Sequence, residues 1–245
     1  KVGGRLYAGY VEGHKNDNPK NEKVTIKNAR LEAAGIGDRI MNLSHLNMTG
    51  GSITISSRER ILTQDFNLTN SSLTNTTMES KWAQGNITLD NNNFVNSRFN
   101  SEYDGDDPTN RYKQRMVPSA TITVTNNTFE KFDSRWAVSL RIYDHKLNTI
   151  TINNNQFKNK SNGIDIRPSY LVRYGPSSYV TKPADVEIKN NTFTKDRKGV
   201  FIKAGRFDVT GNNFIESPGI RYEAVETTSN QNSQKGFFDY KINNN

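Results

Sequence analysis

Residues 121–129 read T-I-T-V-T-N-N-T-F, and close copies of this phrase return along the chain. Residues 149–157 read T-I-T-I-N-N-N-Q-F, 185–193 D-V-E-I-K-N-N-T-F, 206–214 R-F-D-V-T-G-N-N-F, and 86–94 N-I-T-L-D-N-N-N-F. Each copy sets two apolar residues two apart, then an Asn-rich corner, then a Phe. The reading is one strand, one tight turn and one buried aromatic. A unit this short cannot bury its own apolar face, so it must stack on copies of itself.

Aligning on the closing residue gives Leu31, Ile53, Leu73, Phe94, Phe129, Phe157, Phe193 and Phe214, at spacings of 22, 20, 21, 35, 28, 36 and 21. The longer spacings read as the basic length plus an insertion. Seven residues before the anchor stand Val24, Leu46, Phe66, Ile87, Ile122, Ile150, Val186 and Phe207. Five before stand Ile26, Met48, Leu68, Leu89, Val124, Ile152, Ile188 and Val209. All sixteen are apolar, and period-two alternation held in phase over eight units predicts stacked parallel strands. Two before the anchor, Asn92, Asn127, Asn155, Asn191 and Asn212 align. Stacked about 4.8 Å apart, their amides are expected to hydrogen-bond along the stack, and Asn also suits the left-handed backbone of a sharp corner.

A second strand follows each anchor. Val138-Ser139-Leu140-Arg141 matches Ile164-Asp165-Ile166-Arg167, Val200-Phe201-Ile202-Lys203 and Ile220-Arg221-Tyr222-Glu223. The first and third members are predicted to point inward and the second and fourth outward, so each rung supplies at least two strands. Parallel crossovers are right-handed. The expected fold is all-β: a right-handed parallel β-helix, a single-chain solenoid of about eight to nine rungs, with helices nearly absent.

Bulk composition agrees. Hydrophobic residues are only 33% of the 245 and mean hydropathy is −0.81. That is lean for a globular core, yet a solenoid's thin core needs fewer apolar residues per rung. The lack of cysteine excludes disulfides, thiolate metal sites and cysteine nucleophiles. No membrane-length apolar run, signal-peptide pattern or lipid motif stands in these residues, so no membrane insertion is expected. A formal charge of +8 points to anionic partners. The basic residues are spread over rungs rather than set in a recognised module, which disfavours nucleic acid.

Residues 1–245 are read as one β-helix segment. Residues 240–245 begin a ninth phrase that stops short of its Phe, and residues 1–10 look like the second strand of a rung; both suggest a piece cut from a longer protein. Insertions are placed at about 102–118, 142–148 and 168–183, and they are expected to project from the scaffold, where binding residues usually sit.

The outward column Arg141, Arg167, Lys203 and Glu223 places three cations about 5 Å apart. Beside it runs Ser139, Asp165, Phe201 and Arg221. Like charges directly opposed need neutralising; Asp165 and Glu223 supply part of this and an acidic ligand the rest. The insertions add Arg111, Arg115, His145, Tyr170, Arg173 and Tyr174 as walls. Arg pairs with carboxylate or sulfate and Tyr packs on a sugar face. The candidate ligand-binding set is therefore Arg141, Arg167, Lys203, Asp165, His145, Tyr170, Arg173, Tyr174, Arg111 and Arg115. No catalytic residue, metal ligand or cofactor is assigned: the histidines share no ligand spacing, the mapped columns show no carboxylate pair for a hydrolase, and Asp104, Asp106 and Asp107 read as a solvated turn.

With its N-N-x-F corner after x-I-x-I, the chain over about residues 24–245 resembles the pectate-lyase-like superfamily of right-handed parallel β-helices. The polygalacturonase pattern N-T-D, D-D, G-H-G and R-I-K is not matched; the nearest fragments, Asp144-His145-Lys146 and Phe201-Ile202-Lys203, lack the acids. The chain is most similar to the basic β-helical binding regions of Gram-positive cell-wall adhesins, of the serine-rich-repeat and the plasmin- and fibronectin-binding types. The resemblance implies a monomeric, extracellular, wall-attached adhesin, a binder rather than an enzyme. Its expected partners are acidic polysaccharide, mucin or a host matrix protein of fibronectin or plasminogen type. The alternative is a polysaccharide lyase or hydrolase acting in the same groove.

Overall fold

The structure, a computed structural model, describes residues 23–33, 39–80, 86–101, 120–130, 136–142, 147–159, 162–168, 185–202, 206–222, 240–243 and 245. Among them there is no helix, and nineteen strands form one sheet in which every pairing is parallel. The chain coils as a right-handed parallel β-helix. β1 (Lys23–Ala33), β2 (Arg39–Thr69) and β3 (Ser72–Ser80) make the first turns. Then come coils of three strands. These are β4 (Ile87–Asp90), β5 (Asn93–Val95) and β6 (Arg98–Ser101); β7 (Ala120–Thr125), β8 (Thr128–Glu130) and β9 (Trp136–Ile142). Next are β10 (Leu147–Asn153), β11 (Gln156–Lys158) and β12 (Asn162–Pro168); β13 (Asp185–Lys189), β14 (Thr192–Thr194) and β15 (Val200–Ile202). The last are β16 (Arg206–Thr210), β17 (Asn213–Ile215), β18 (Ile220–Tyr222) and β19 (Tyr240–Asn243).

Each coil therefore has three flat sides. The anchor Phe, expected as a buried aromatic just after the Asn-rich corner, sits on a three-residue strand of its own. The predicted register holds: Leu31, Ile53, Leu73, Phe94, Phe129, Phe157, Phe193 and Phe214 pair in succession. In the eight aligned phrases the side chains at both apolar positions of the first side are buried wherever they are described, and with the anchors from Ile53 to Phe214 they form one continuous core; Ile242, on the last strand, is exposed. The Phe rings stack face to face, with centroids 4.6 Å apart for Phe94–Phe129, 5.1 Å for Phe129–Phe157 and 4.7 Å for both Phe157–Phe193 and Phe193–Phe214. The rung spacing imposes this separation.

The first corner divides its work between two residues. The residue three before the anchor takes the left-handed backbone: Asn70, Asn91, Asn126, Asn154 and Asn190 at φ 52–59°, with Gly211 at 67°. The aligned Asn two before the anchor, which the sequence suited to that strained place, is instead the buried ladder. Asn127 shows the pattern. Its Nδ2 donates to Asn155 Oδ1 (3.0 Å) and to the Leu89 carbonyl (2.9 Å), while its Oδ1 accepts from the Asn92 backbone N–H (2.9 Å) and from Asn92 Nδ2 (3.0 Å). Both amide hydrogens and both lone pairs are used. The ladder runs from Ser71 through Asn92, Asn127, Asn155, Asn191 and Asn212 to Asn245. The second corner repeats the device, with left-handed Asn75, Asn96, Asn159, Lys195 and Glu216 two residues after the anchor.

Candidate functional site

The site lies on the third side of the coil. Its strands keep the predicted register: Val138, Ile164, Val200 and Ile220 pair in turn, as do Ser139, Asp165, Phe201 and Arg221. Arg141 stands opposite Arg167 in the strand pairing. Its side chain, like Lys203, His145, Tyr170, Arg173, Tyr174, Arg111 and Arg115, lies outside the described residues. Of the predicted set, the structure thus brings together Asp165 and Arg167.

One expectation is corrected. Ser139, Asp165 and Phe201 alternate with the inward apolar residues, but they are not exposed. Asp165 is 0% and Phe201 8% exposed. Upstream in the same column Glu79 and Asn100 are buried too. Alternation fixes the side of the strand a residue occupies, not whether that side meets water. Asp165 Oδ1 accepts from Arg167 Nε at 2.7 Å, so the buried carboxylate fixes a half-exposed guanidinium. The Arg167 guanidinium carbon also sits 4.9 Å from the Phe201 ring centroid, and that of Arg221 sits 5.6 Å from the same centroid. Lys198 Nζ lies 5.5 Å from the Trp136 centroid, and Trp136 stacks toward Phe201 at 6.2 Å and 20°.

The site is therefore a row of cations laid on an aromatic floor. These side chains, with Arg197 and the Pro218–Gly219 backbone, line an open cleft of about 480 Å³. None of the described residues lining it is a carboxylate. Two further rings, which the sequence did not assign to the site, serve it in another role. Among the described residues they are Trp136 and Phe201, and their faces hold protein cations, each contact contributing about 0.5–1 kcal/mol at an exposed site. The effect is to pre-orient the charges.

Sequence reasoning missed Trp136, Arg197 and Lys198 because they lie in the second corner or on the strand residue that follows it, and the length of that corner varies. Phe99 and Val200 occupy one register column, yet Phe99 follows its anchor Phe94 by five residues and Val200 follows Phe193 by seven. The added residues form a tight bend. Lys195 is left-handed, Asp196 Oδ1 accepts from the Arg197 backbone N–H at 3.0 Å, the Asp196 N–H donates to Ser217 Oγ at 2.8 Å, and Gly199 has φ 29°. This bend carries Arg197 and Lys198 to the cleft rim. The signal available in the sequence was the unequal gap between the anchor Phe and the next apolar pair.

Among the described residues no group of three or more His, Asp or Glu side chains stands close enough to hold a metal ion. In comparisons with known proteins, no family model, no curated protein and no solved structure matches the chain, so its affiliation rests on the parallel β-helix itself.

Proposed function

We propose that this chain is the ligand-binding β-helix of a bacterial surface adhesin, and that it takes acidic glycans, free or on matrix glycoproteins, in the Arg167–Arg221 cleft. The observation carrying this reading is the cation–ring–cation arrangement of Arg167, Phe201 and Arg221. Two guanidinium groups held beside one ring attract the same anionic group, and a ligand acid that reaches both gains from each charge. The net charge of +8 adds a long-range attraction for polyanions. Arg suits the role because its planar fork matches carboxylate and sulfate.

The test is binding to immobilised acidic polysaccharide, by surface plasmon resonance at several salt concentrations. Affinity should fall as salt rises, and the Arg167→Ala/Arg221→Ala double variant should lose about a hundredfold or more, the scale of two charge-assisted hydrogen bonds. Unchanged affinity in a double variant that still shows the parental β-sheet circular dichroism would remove the cleft as the site. Release of unsaturated uronate during the same assay would move the reading to a lyase.

A further inference from the structure

Asn162 opens β12 and stands in register with Trp136 of β9. Its side chain is sealed at 1% exposure, and neither its amide oxygen nor its amide nitrogen has a hydrogen-bond partner. Buried polar groups in folded proteins almost always have partners. The ladder asparagines of this same chain obey that rule, using both ends of every amide. Asn162 is the exception, and its register neighbour is a wall of the cleft.

The register points to the lysine arm as its cover. Ile164 pairs with Val200, so Lys198, two residues before Val200, occupies the place of Asn162 one rung on. Yet Lys198 Nζ lies over Trp136, one rung back on the far side. Its side chain must cross the Asn162 rung to get there. Lys198 is exposed, and so weak a contact at an exposed site yields to an anion that pairs with the ammonium. Once the arm lifts, Asn162 offers an unused N–H donor and an unused carbonyl acceptor beside an indole face.

A primary amide is complementary to another amide, donor to acceptor and acceptor to donor. An acetamido group on a sugar presents that pair together with a methyl group, which suits the indole. We infer that Asn162 is the specificity-determining residue of the cleft and reads the acetamido group of an anionic saccharide whose acid group draws off Lys198. The inference rests on the acidic-glycan reading and narrows it to polyanions built with N-acetylated amino sugars.

The chain has two tryptophans, Trp82 and Trp136, so Trp82→Phe leaves Trp136 as the sole indole reporter. That protein is titrated with unsulfated chondroitin oligosaccharides, which alternate uronate and N-acetylated amino sugar, and with polygalacturonate oligosaccharides of equal total charge. Chondroitin should bind about fivefold tighter or more, the scale of one to two net hydrogen bonds, and should shift Trp136 emission as the ammonium leaves the ring. Asn162→Leu, or the smaller Asn162→Ala, should abolish the difference between the two ligands. Lys198→Met should weaken both ligands yet keep chondroitin ahead. Equal affinities in the parent protein, or a preference that survives both Asn162 variants, overturns the inference alone. Failure of both ligands to bind at low salt sinks the acidic-glycan reading beneath it.

Discussion

Asp165 and Arg167 lie two residues apart on the same flank of β12, and the carboxylate, fully enclosed, accepts the Nε–H of a guanidinium that is 38% exposed. One partner is fixed by burial and the other is left free to meet a ligand. Asp165→Asn keeps the shape and removes the charge. It should lower unfolding free energy by about 1.5–3 kcal/mol, the range for a hydrogen bond to a charged group. It should also weaken polyanion binding roughly threefold to tenfold, because the arginine loses its fixed orientation. Chemical denaturation and binding on one preparation give both numbers; binding that stays at the parental level would show that Arg167 needs no such support.

The asparagine ladder should be the most sensitive element of the fold. Asn155 makes side-chain bonds to Asn127, Asn191 and the Val124 carbonyl. Asn155→Ala strands a buried N–H and two amide groups at once, each worth about 1–3 kcal/mol. The expected loss is about 3 kcal/mol or more, measured by urea unfolding. By comparison Asn154→Gly, at the exposed left-handed corner next to it, should change stability by less than about 1 kcal/mol.

Gly199 and Gly211 both have positive φ, but their surroundings differ. A Cβ on Gly211 would meet the Asn190 side-chain oxygen, which can move, whereas one on Gly199 would run into the carbonyl oxygens of Pro218 and Gly219. Gly199→Ala should therefore destabilise more than Gly211→Ala, by about 1–3 kcal/mol. It should also weaken binding, since Pro218 and Gly219 floor the cleft. Equal thermal midpoints for the two variants would contradict the backbone packing described.

Lys189 bonds to Asp208 at 3.0 Å and Glu187 at 3.3 Å. These partners, Asp208 foremost, hold its ammonium above the ordinary value of 10.5 despite some desolvation. A cation whose folded value is raised stabilises the fold fully below the unfolded value, and that contribution disappears as pH climbs through the folded one. The stability difference between the parent and Lys189→Met should accordingly be constant from neutral to mildly alkaline pH and shrink in strong alkali. A difference that grew with pH would reverse the assignment.

The scaffold was legible in residues 121–129 and their copies because a parallel stack demands the same chemistry at the same place in every coil. That demand fixed the Leu31-to-Phe214 column and the Asn ladder. It also matched Arg141 with Arg167 and predicted that Tyr240 begins another phrase, which pairs with Phe207. The cleft was less legible, for two physical reasons. Burial of Asp165 and Phe201 depends on what lies outside the strand, and alternation carries no record of that. Trp136 and Lys198 meet across two coils although 62 positions separate them, and no fixed period relates them because corner lengths differ.

From Asn92 to Asn212 each side-chain amide donates to the Oδ1 of the next ladder asparagine, ending at Asn245, so the side-chain links all run in one direction. Such a chain of aligned dipoles is indifferent to how many links it has, but not to a fraction of a link. Excising residues 192–212, one entire turn of the spiral, would bring Asn191 against Asn245 and leave the line unbroken. Removing a single residue between Phe207 and Asn212 would offset that coil's amide from its neighbours, whereas the second corner absorbs changes in length. Evolution can thus lengthen or shorten this molecule by whole windings, or within its corners and insertions, at small thermodynamic penalty, while frame slips inside a strand are filtered out by the interior itself.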